Sequence, residues 1–504
     1  MALAPRAMNV QPGRPGVPTI SFEEGWGMIE KNGIKRVQRI VEKRGMKISF
    51  KPVEFTQLYS VVYTMCTQKA PQNWSGKLYF AHRKSLEQYL TETVQPALMA
   101  NKNNLDDFVR ELHQRWMNHK VMVKWMVKIF AYVDRFYVPR LAIDDLSTVG
   151  MKAFQKTIFE SCKDRAASAV VAMMARERNN ASTNSGDHRM MKDITGMFIA
   201  MGMGKDRAYV DVLEKAILEA AAFESKRDAT NWAGKYGLAN YLQRAEARLE
   251  EETDRVHFYL HKNTLPKLMK VCEAELLGGT QDRVLGDAES GIDGLLTGYC
   301  RRDLLRLYRL YSRLPVGLEC AAKHFRLYVT KETTQIMDNV TAPGNDVKEL
   351  IDGLIKILSD FERLVTECFH DDSQFKEAVN SGFEQAMNNN IKGKKKMPEL
   401  IADSLDGVLR TNKPLSARSG PAMAITAETK IDNIAKIFVY LRDKDVFGEV
   451  YRKLLAKRLL LGRARDDLEQ RVTSHLKKRC GGQFTAKLEG MLTDMRLAAD
   501  VQSD

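Results

Sequence analysis

Apolar residues recur at three- and four-residue steps over 105–138, 241–261, 302–329, 346–369 and 430–461. That spacing keeps a row of side chains on one face of an α-helix, so each stretch predicts an amphipathic helix. No alternating β-branched run bounded by Asn-Gly or Asp-Gly turn signals stands out. Only 14 prolines occur, four of them among the first twenty residues, so long stretches are free to be helical. The pattern predicts an all-α protein. Breaks fall at 179–187 (NNASTNSGD), 278–296, 341–345 (TAPGN), 388–399 (NNNIKGKKKMPE) and 411–427, all rich in turn formers or charge. The last separates a long first body from a short final segment.

Two candidate helices carry more apolar surface than one core needs. Phe55, Tyr59 and Tyr63 stand four residues apart, and Leu58, Val61, Val62 and Met65 fill the adjoining side. The apolar arc then spans roughly 200°, about twice the ~100° stripe that covers a core. A second candidate helix, Lys120 to Arg135, shows the same excess from Val121 to Val133, with Lys120, Lys124, Lys128 and Asp134 left for water. Two over-wide helices suggest a shared docking face. Tyrosines suit one, since each offers large area at low entropy cost plus a hydroxyl for the rim. The plainer alternative is that all three rings are core. The ridge stops at Thr67, Gln68 and Lys69, where a helix end favours a cation over an apolar group.

At 504 residues, 44% apolar and 28% charged, the chain has a globular composition and room for roughly three domains or one repeat array. No window approaches the ~18 to 20 uninterrupted apolar residues of a membrane-spanning helix, so no membrane partner is expected. Residues 1–20 carry Pro5, Pro12, Pro15 and Pro18 with two arginines, no acid and no apolar run. They read as a disordered arm, and the prolines also oppose a transit-peptide helix. The seven cysteines are never closer than 20 residues and form no C-x-x-C, which reads as reduced thiols of the cytoplasm or nucleus. A net charge of +14 would draw nucleic acid or acidic proteins. No basic stripe interleaved with aromatic residues accompanies it, which argues against nucleic acid. The run Lys392 to Lys396 reads as a solvated loop before a nuclear address.

Catalytic signatures are missing from the sequence: no phosphate loop, no nucleophile elbow and no H-E-x-x-H occurs. His257 and His261 stand four apart on one predicted helix, but a zinc site needs three or four ligands and no third is near in sequence. His370 to Asp372 reads as a helix end followed by a cap. No catalytic residue, metal or cofactor is expected, and the chain reads as a scaffold.

Four blocks are more specific than periodicity. WMNHKVMVKWMVKIFAYVDRFYV (116–138), AEARLEEETDRVHFYLH (245–261), DKDVFGEVYRKLLAKRLLLG (443–462) and CGGQFTAKLEGMLTDM (480–495) occur in the order seen in the cullins, scaffolds of multisubunit ubiquitin ligases. The chain resembles that family from about residue 21 to 495. CTQK (66–69), NHKVMVKW (118–125) and CGGQFT look most like the class-one cullin of SCF-type ligases in plants and algae.

The resemblance implies an elongated stalk of three five-helix cullin repeats, at 21–155, 156–295 and 296–412, after the arm at 1–20. The start of a four-helix bundle would follow at 413–504. It implies that the N-terminal end holds a Skp-type adaptor carrying an F-box substrate receptor. The matching adaptor positions are Phe55, Leu58, Tyr59, Val62 and Tyr63 with Tyr132; Val121 and Lys128, on the same edge as Tyr132, are added on position alone. Family members continue past Met495 through a region that binds a RING-box protein and its ubiquitin-conjugating enzyme, whereas this chain stops at VQSD. The expectation is therefore a fragment or truncated product, with those two partners only where a complete C-terminal region exists. Rival expectations are a cullin for BTB-type adaptors and a truncated cullin that sequesters adaptors.

Between residues 452 and 479 cations outnumber acids, and Arg452, Lys453, Lys457, Arg458, Lys477 and Lys478 are expected on an outer face, which is either a plain solvated basic surface or a channel for an acidic tail of the conjugating enzyme. Asp466 and Glu469, three apart, read as a capping box.

Overall fold

The computed structural model describes residues 19–43, 50–101, 103–179, 185–287, 290–340, 347–389, 396–410 and 427–503. The expected N-terminal arm up to residue 18 and Lys392 to Lys395 of the lysine run lie outside them. Every element is helical, and no strand occurs among the described residues. Three of the five periodic stretches begin or persist as expected, at Leu105–Ile129, Leu238–Tyr259 and Val347–Phe369. The other two split, into Arg301–Tyr311 and Gly317–Val340 and into Ala427–Phe438 and Lys444–Leu460. The stretch read as a break at 278–296 contains the short helices Gln281–Leu285 and Ile292–Thr297.

Contacts divide the chain into two compact units, Met1–Glu224 with Glu250–Cys272, and Ser225–Leu249 with Glu273–Asp504. In the first, the helix Pro52–Thr67 starts where Pro52 needs no N–H partner. The Glu54 carboxylate accepts the Lys51 N–H at 3.0 Å and pairs with Arg36 at 2.9 Å. The Lys51 N–H first, and then the Arg36 guanidinium, hold its carboxyl below the ordinary range. This helix buries Leu58, Val62, Met65 and Cys66, and Leu105–Ile129 buries Met122, Met126 and Ile129. A buried side chain of this size contributes about 1.5–3 kcal/mol.

The second expected helix, Lys120 to Arg135, is not continuous. The α-helix ends at Ile129, Phe130 leaves helical geometry (φ −93°, ψ 19°), and a wide π-turn runs from Val133 to Tyr137 before Pro139. Proline has no N–H to give the preceding turn and its ring crowds the carbonyl four residues back, so a widened turn just before it relieves the clash. Leu90–Val94 stands in the same relation to Pro96. Asp134, expected to face water, instead accepts the Leu146 N–H at 2.9 Å.

Two charge clusters tie residues of the blocks that carry the family resemblance to residues outside them. In the first unit Glu252 takes Arg178 at 2.9 and 3.1 Å and Arg255 at 3.0 Å, and the Tyr259 hydroxyl donates to Glu177 at 3.0 Å. In the second, Arg458 donates to Glu469 at 2.7 and 3.0 Å and to Asp406, which also holds Arg410 at 2.8 Å. The Tyr451 hydroxyl closes that cluster on Glu469 at 2.7 Å, where burial drives its pKa well above the usual phenol range. Glu469 is therefore buried in an ion pair and not a capping-box partner of Asp466; the helix Asp466–Cys480 has no side-chain cap at its start. Its end at Gly481 (φ +86°) adopts a backbone that only glycine takes without strain, which accounts for the first glycine of CGG in the last block.

Candidate functional site

The over-wide apolar arc of Pro52–Thr67 resolves into two halves. Leu58 (5% exposed) and Val62 (0%) join Met65 in the core, so neither offers surface to a partner. Phe55 and Tyr59, three or four residues round the helix, are half-buried, and Tyr63 is 47% exposed. The bend at Phe130 brings a second set of rings beside them. Tyr63 meets Tyr132 edge to face, with ring centroids 5.1 Å apart, and Tyr132 lies 4.5 Å from Phe136. The three rings form a continuous row contributed by two elements. Its far end, Phe136, is 54% exposed and was not singled out from the sequence, although its i, i+4 spacing from Tyr132 was the available signal. Burial raises the Tyr132 pKa, with Tyr63 adding a smaller push, so the hydroxyl stays a neutral donor.

The other edge of the face is also aromatic. Phe55 lies 6.2 Å from Trp125, Phe50 completes a triangle with both, and the Lys128 ammonium sits 4.8 Å from the Trp125 ring centre. Val121 is exposed on the same helix. Beside the helix an open groove of about 760 Å³, lined in part by Leu58, is rimmed by Lys31, Arg36 and Arg39 and by Glu54, which pairs with Arg36. The face thus combines rings set on a packed core with cations at its margin. Exposed rings over a filled core, with cations beside them, are the composition common in protein–protein contacts.

The basic segment is only partly as expected. Lys453, Lys457, Lys477 and Lys478 are exposed and Arg452 is half-buried, while Arg458 is 1% exposed and answers Asp406 and Glu469. It is a core residue and no part of an acidic-tail surface. Its place in the apolar stripe, three after Leu455 and seven after Tyr451, marked it as inward-facing. Lys477 is paired with Glu489 at 3.0 Å. His257 and His261 do not form a ligand pair: the helix ends at Tyr259, His257 Nδ1 lies 2.8 Å from the Thr253 carbonyl, and His261 caps a short 3₁₀ turn. His370 and Asp371 end a helix with positive φ and Asp372 caps the next, as the sequence implied.

The described residues build two all-helical units, the first of which carries the aromatic row on a packed core. The match to the cullin alpha solenoid domain covers residues 32–502, and the chain belongs to the cullin family. It is 32% identical over 501 residues to Cullin-1 of Oryza sativa subsp. japonica, covering 96% of this chain and 65% of that protein. Cullin-2 of Arabidopsis thaliana is likewise 32% identical, over 495 residues with 96% and 65% covered. Cullin-3 of Dictyostelium discoideum is 29% identical over 460 residues, 90% of this chain and 56% of that protein. The chain spans about two thirds of the rice and Arabidopsis relatives, falling just short of it at 65%.

Proposed function

We propose that the chain is a non-catalytic scaffold of an SCF-like cullin-RING ubiquitin-protein ligase, serving ubiquitin-dependent protein degradation in the cytoplasm and nucleus. Its aromatic row Tyr63, Tyr132 and Phe136, flanked by Phe55 and Tyr59, takes a Skp-type adaptor that carries an F-box substrate receptor. That row is the observation that carries the proposal: three rings from two elements stand partly open to solvent above a core already filled by Leu58 and Val62. Scaffolding accelerates transfer by holding reactants close and so removing the entropic cost of their encounter, with the reacting groups supplied by other subunits. Where a complete C-terminal region of the family is present, a RING-box protein and ubiquitin-conjugating enzyme complete the assembly. Exposed Lys453, Lys457, Lys477 and Lys478 would steer an acidic tail of that enzyme. If reversing all four charges left association with an acidic peptide unchanged at low salt, that role is lost.

The similarity to a Cullin-3 favours one second reading, a BTB-type adaptor on the same face. A titration of the chain against a Skp-type adaptor bound to an F-box protein, run beside a BTB-type adaptor, separates the two. Saturable binding of the first alone is the expected result. Binding of the second alone would replace the assignment, and binding of neither would remove the docking role.

A further inference from the structure

Away from the docking face, three side chains of ligand type converge in the second unit. Cys320 and His324 stand four residues apart on the helix Gly317–Val340 and so share one face. Asp282 approaches from the short helix Gln281–Leu285. The Cys320 sulfur, a ring nitrogen of His324 and a carboxylate oxygen of Asp282 all lie within 4.8 Å of one another. Within that triangle the Cys320 thiol donates to Asp282 Oδ1 at 2.9 Å.

The surroundings hold this arrangement in place. Gln281 Nε2 donates to the Gly317 carbonyl, tying the first residue of one helix to the first of the other. Gly286 ends the short helix, and a Cβ there would meet the Asp282 carbonyl at 2.8 Å and His324 Cε1 at 3.0 Å, so a larger residue would disturb both. Asp282 is exposed and Cys320 and His324 are half-buried, which leaves an entry path from solvent. Sequence spacing could not show the set, because Asp282 precedes Cys320 by 38 residues.

We infer that Asp282, Cys320 and His324 bind one divalent ion of the zinc class, with water as the fourth ligand. One thiolate, one imidazole and one carboxylate make a donor set of borderline softness, which suits zinc better than calcium or magnesium. Tetrahedral bonds of roughly 2.0–2.3 Å place ligand atoms about 3.3–3.8 Å apart, so small side-chain rotations bring the triangle to size. On binding, the Cys320 S–H bond breaks, its proton leaves to buffer, and the sulfur lone pair bonds the metal with no change of oxidation state. Thiolate and carboxylate then neutralise the dication, while the neighbouring Lys323 ammonium opposes it. The bound ion would cross-link the two helices.

The test is a zinc titration of the full chain, stripped with a chelator, in competition with a chromophoric chelator. One zinc per chain is expected, with affinity falling about tenfold or more in both Cys320→Ser and His324→Ala and unchanged in Cys480→Ser. Cobalt(II) should give a thiolate-to-metal charge-transfer band that Cys320→Ser removes. Circular dichroism checks each variant, and Asp282→Asn decides if Cys320→Ser does not fold. Failure to take up one zinc, or uptake that survives all the ligand variants, overturns the site.

Discussion

Tyr63 leaves 47% of its surface in solvent even though its ring meets Tyr132, whereas Val62 beside it has none exposed. Neighbouring residues should therefore fail in different ways. Combining Tyr63→Ala with Tyr132→Ala should weaken adaptor binding by about 2–4 kcal/mol, the usual scale for paired hot-spot residues, with little change in thermal midpoint. Val62→Ala should cost about 1–3 kcal/mol of stability by opening a cavity. A calorimetric titration paired with a thermal melt reads both quantities, and a collapse of the fold in the double tyrosine variant would mean that the rings are core. His82 supports the same face from below. Its ring stands 5.1 Å from Phe130, where the helix bends, and among the described residues neither ring nitrogen has a hydrogen-bond partner. Burial lowers its pKa to about 4. Because the folded pKa is depressed, the unfolded chain binds the proton first as pH falls. Stability is then fully present above pH ~6.5 and declines toward pH ~4, by up to about 3 kcal/mol. His119, lowered likewise by burial, adds to the same window. Urea denaturation at pH 7 and pH 5 should show this loss, and His82→Phe should reduce it.

The helix Lys444–Leu460 shows why element-scale reading goes further for fold than for site. It places Tyr451, Leu455, Arg458 and Leu459 inward and Lys453 and Lys457 outward. Arg458→Met would leave Glu469, itself 0% exposed, without its cation and should cost about 3–5 kcal/mol. Lys457→Glu, one residue away, should stay within about 0.5 kcal/mol. Equal losses in urea melts of the two variants would contradict the buried assignment. Helix existence was legible because apolar spacing repeats over several turns, and the family blocks were legible because they are long and ordered. The sorting of cations was not, since charge count ignores helical phase; read on phase, Arg458 belongs to the apolar stripe. The same limit hid the geometry of the aromatic row. A π-turn changes the spacing of carbonyl partners without changing residue type, so Val133–Tyr137 read as more of one helix and Phe136 went unnoticed. Leu58 and Val62 enter the adaptor set through the family resemblance, and the over-wide arc cannot sort them out, because it tells how much surface is apolar but not which half meets the core.

At the scale of the whole molecule, the net charge of +14 matters through where the cations stand. Lys31, Arg36 and Arg39 rim the groove beside Pro52–Thr67, and Lys128 stands over Trp125, whose ring neighbour Phe50 lies under Arg36. Cations at the margin of an apolar contact speed the encounter with an acidic partner while rings at its centre set how long the complex lasts. An acidic adaptor should therefore associate with the chain more slowly as salt rises from about 50 to 500 mM, because the Debye length shortens from roughly 14 to 4 Å. Dissociation should change much less. Charge reversal at Lys31 and Arg39 should lower the association rate and flatten its salt dependence, whereas Tyr63→Ala should act mainly by raising the dissociation rate. Surface-plasmon kinetics across that salt range would separate the two effects. If dissociation carried the salt dependence instead, the complex would rest on ion pairs inside the contact, and the aromatic row would not be its anchor.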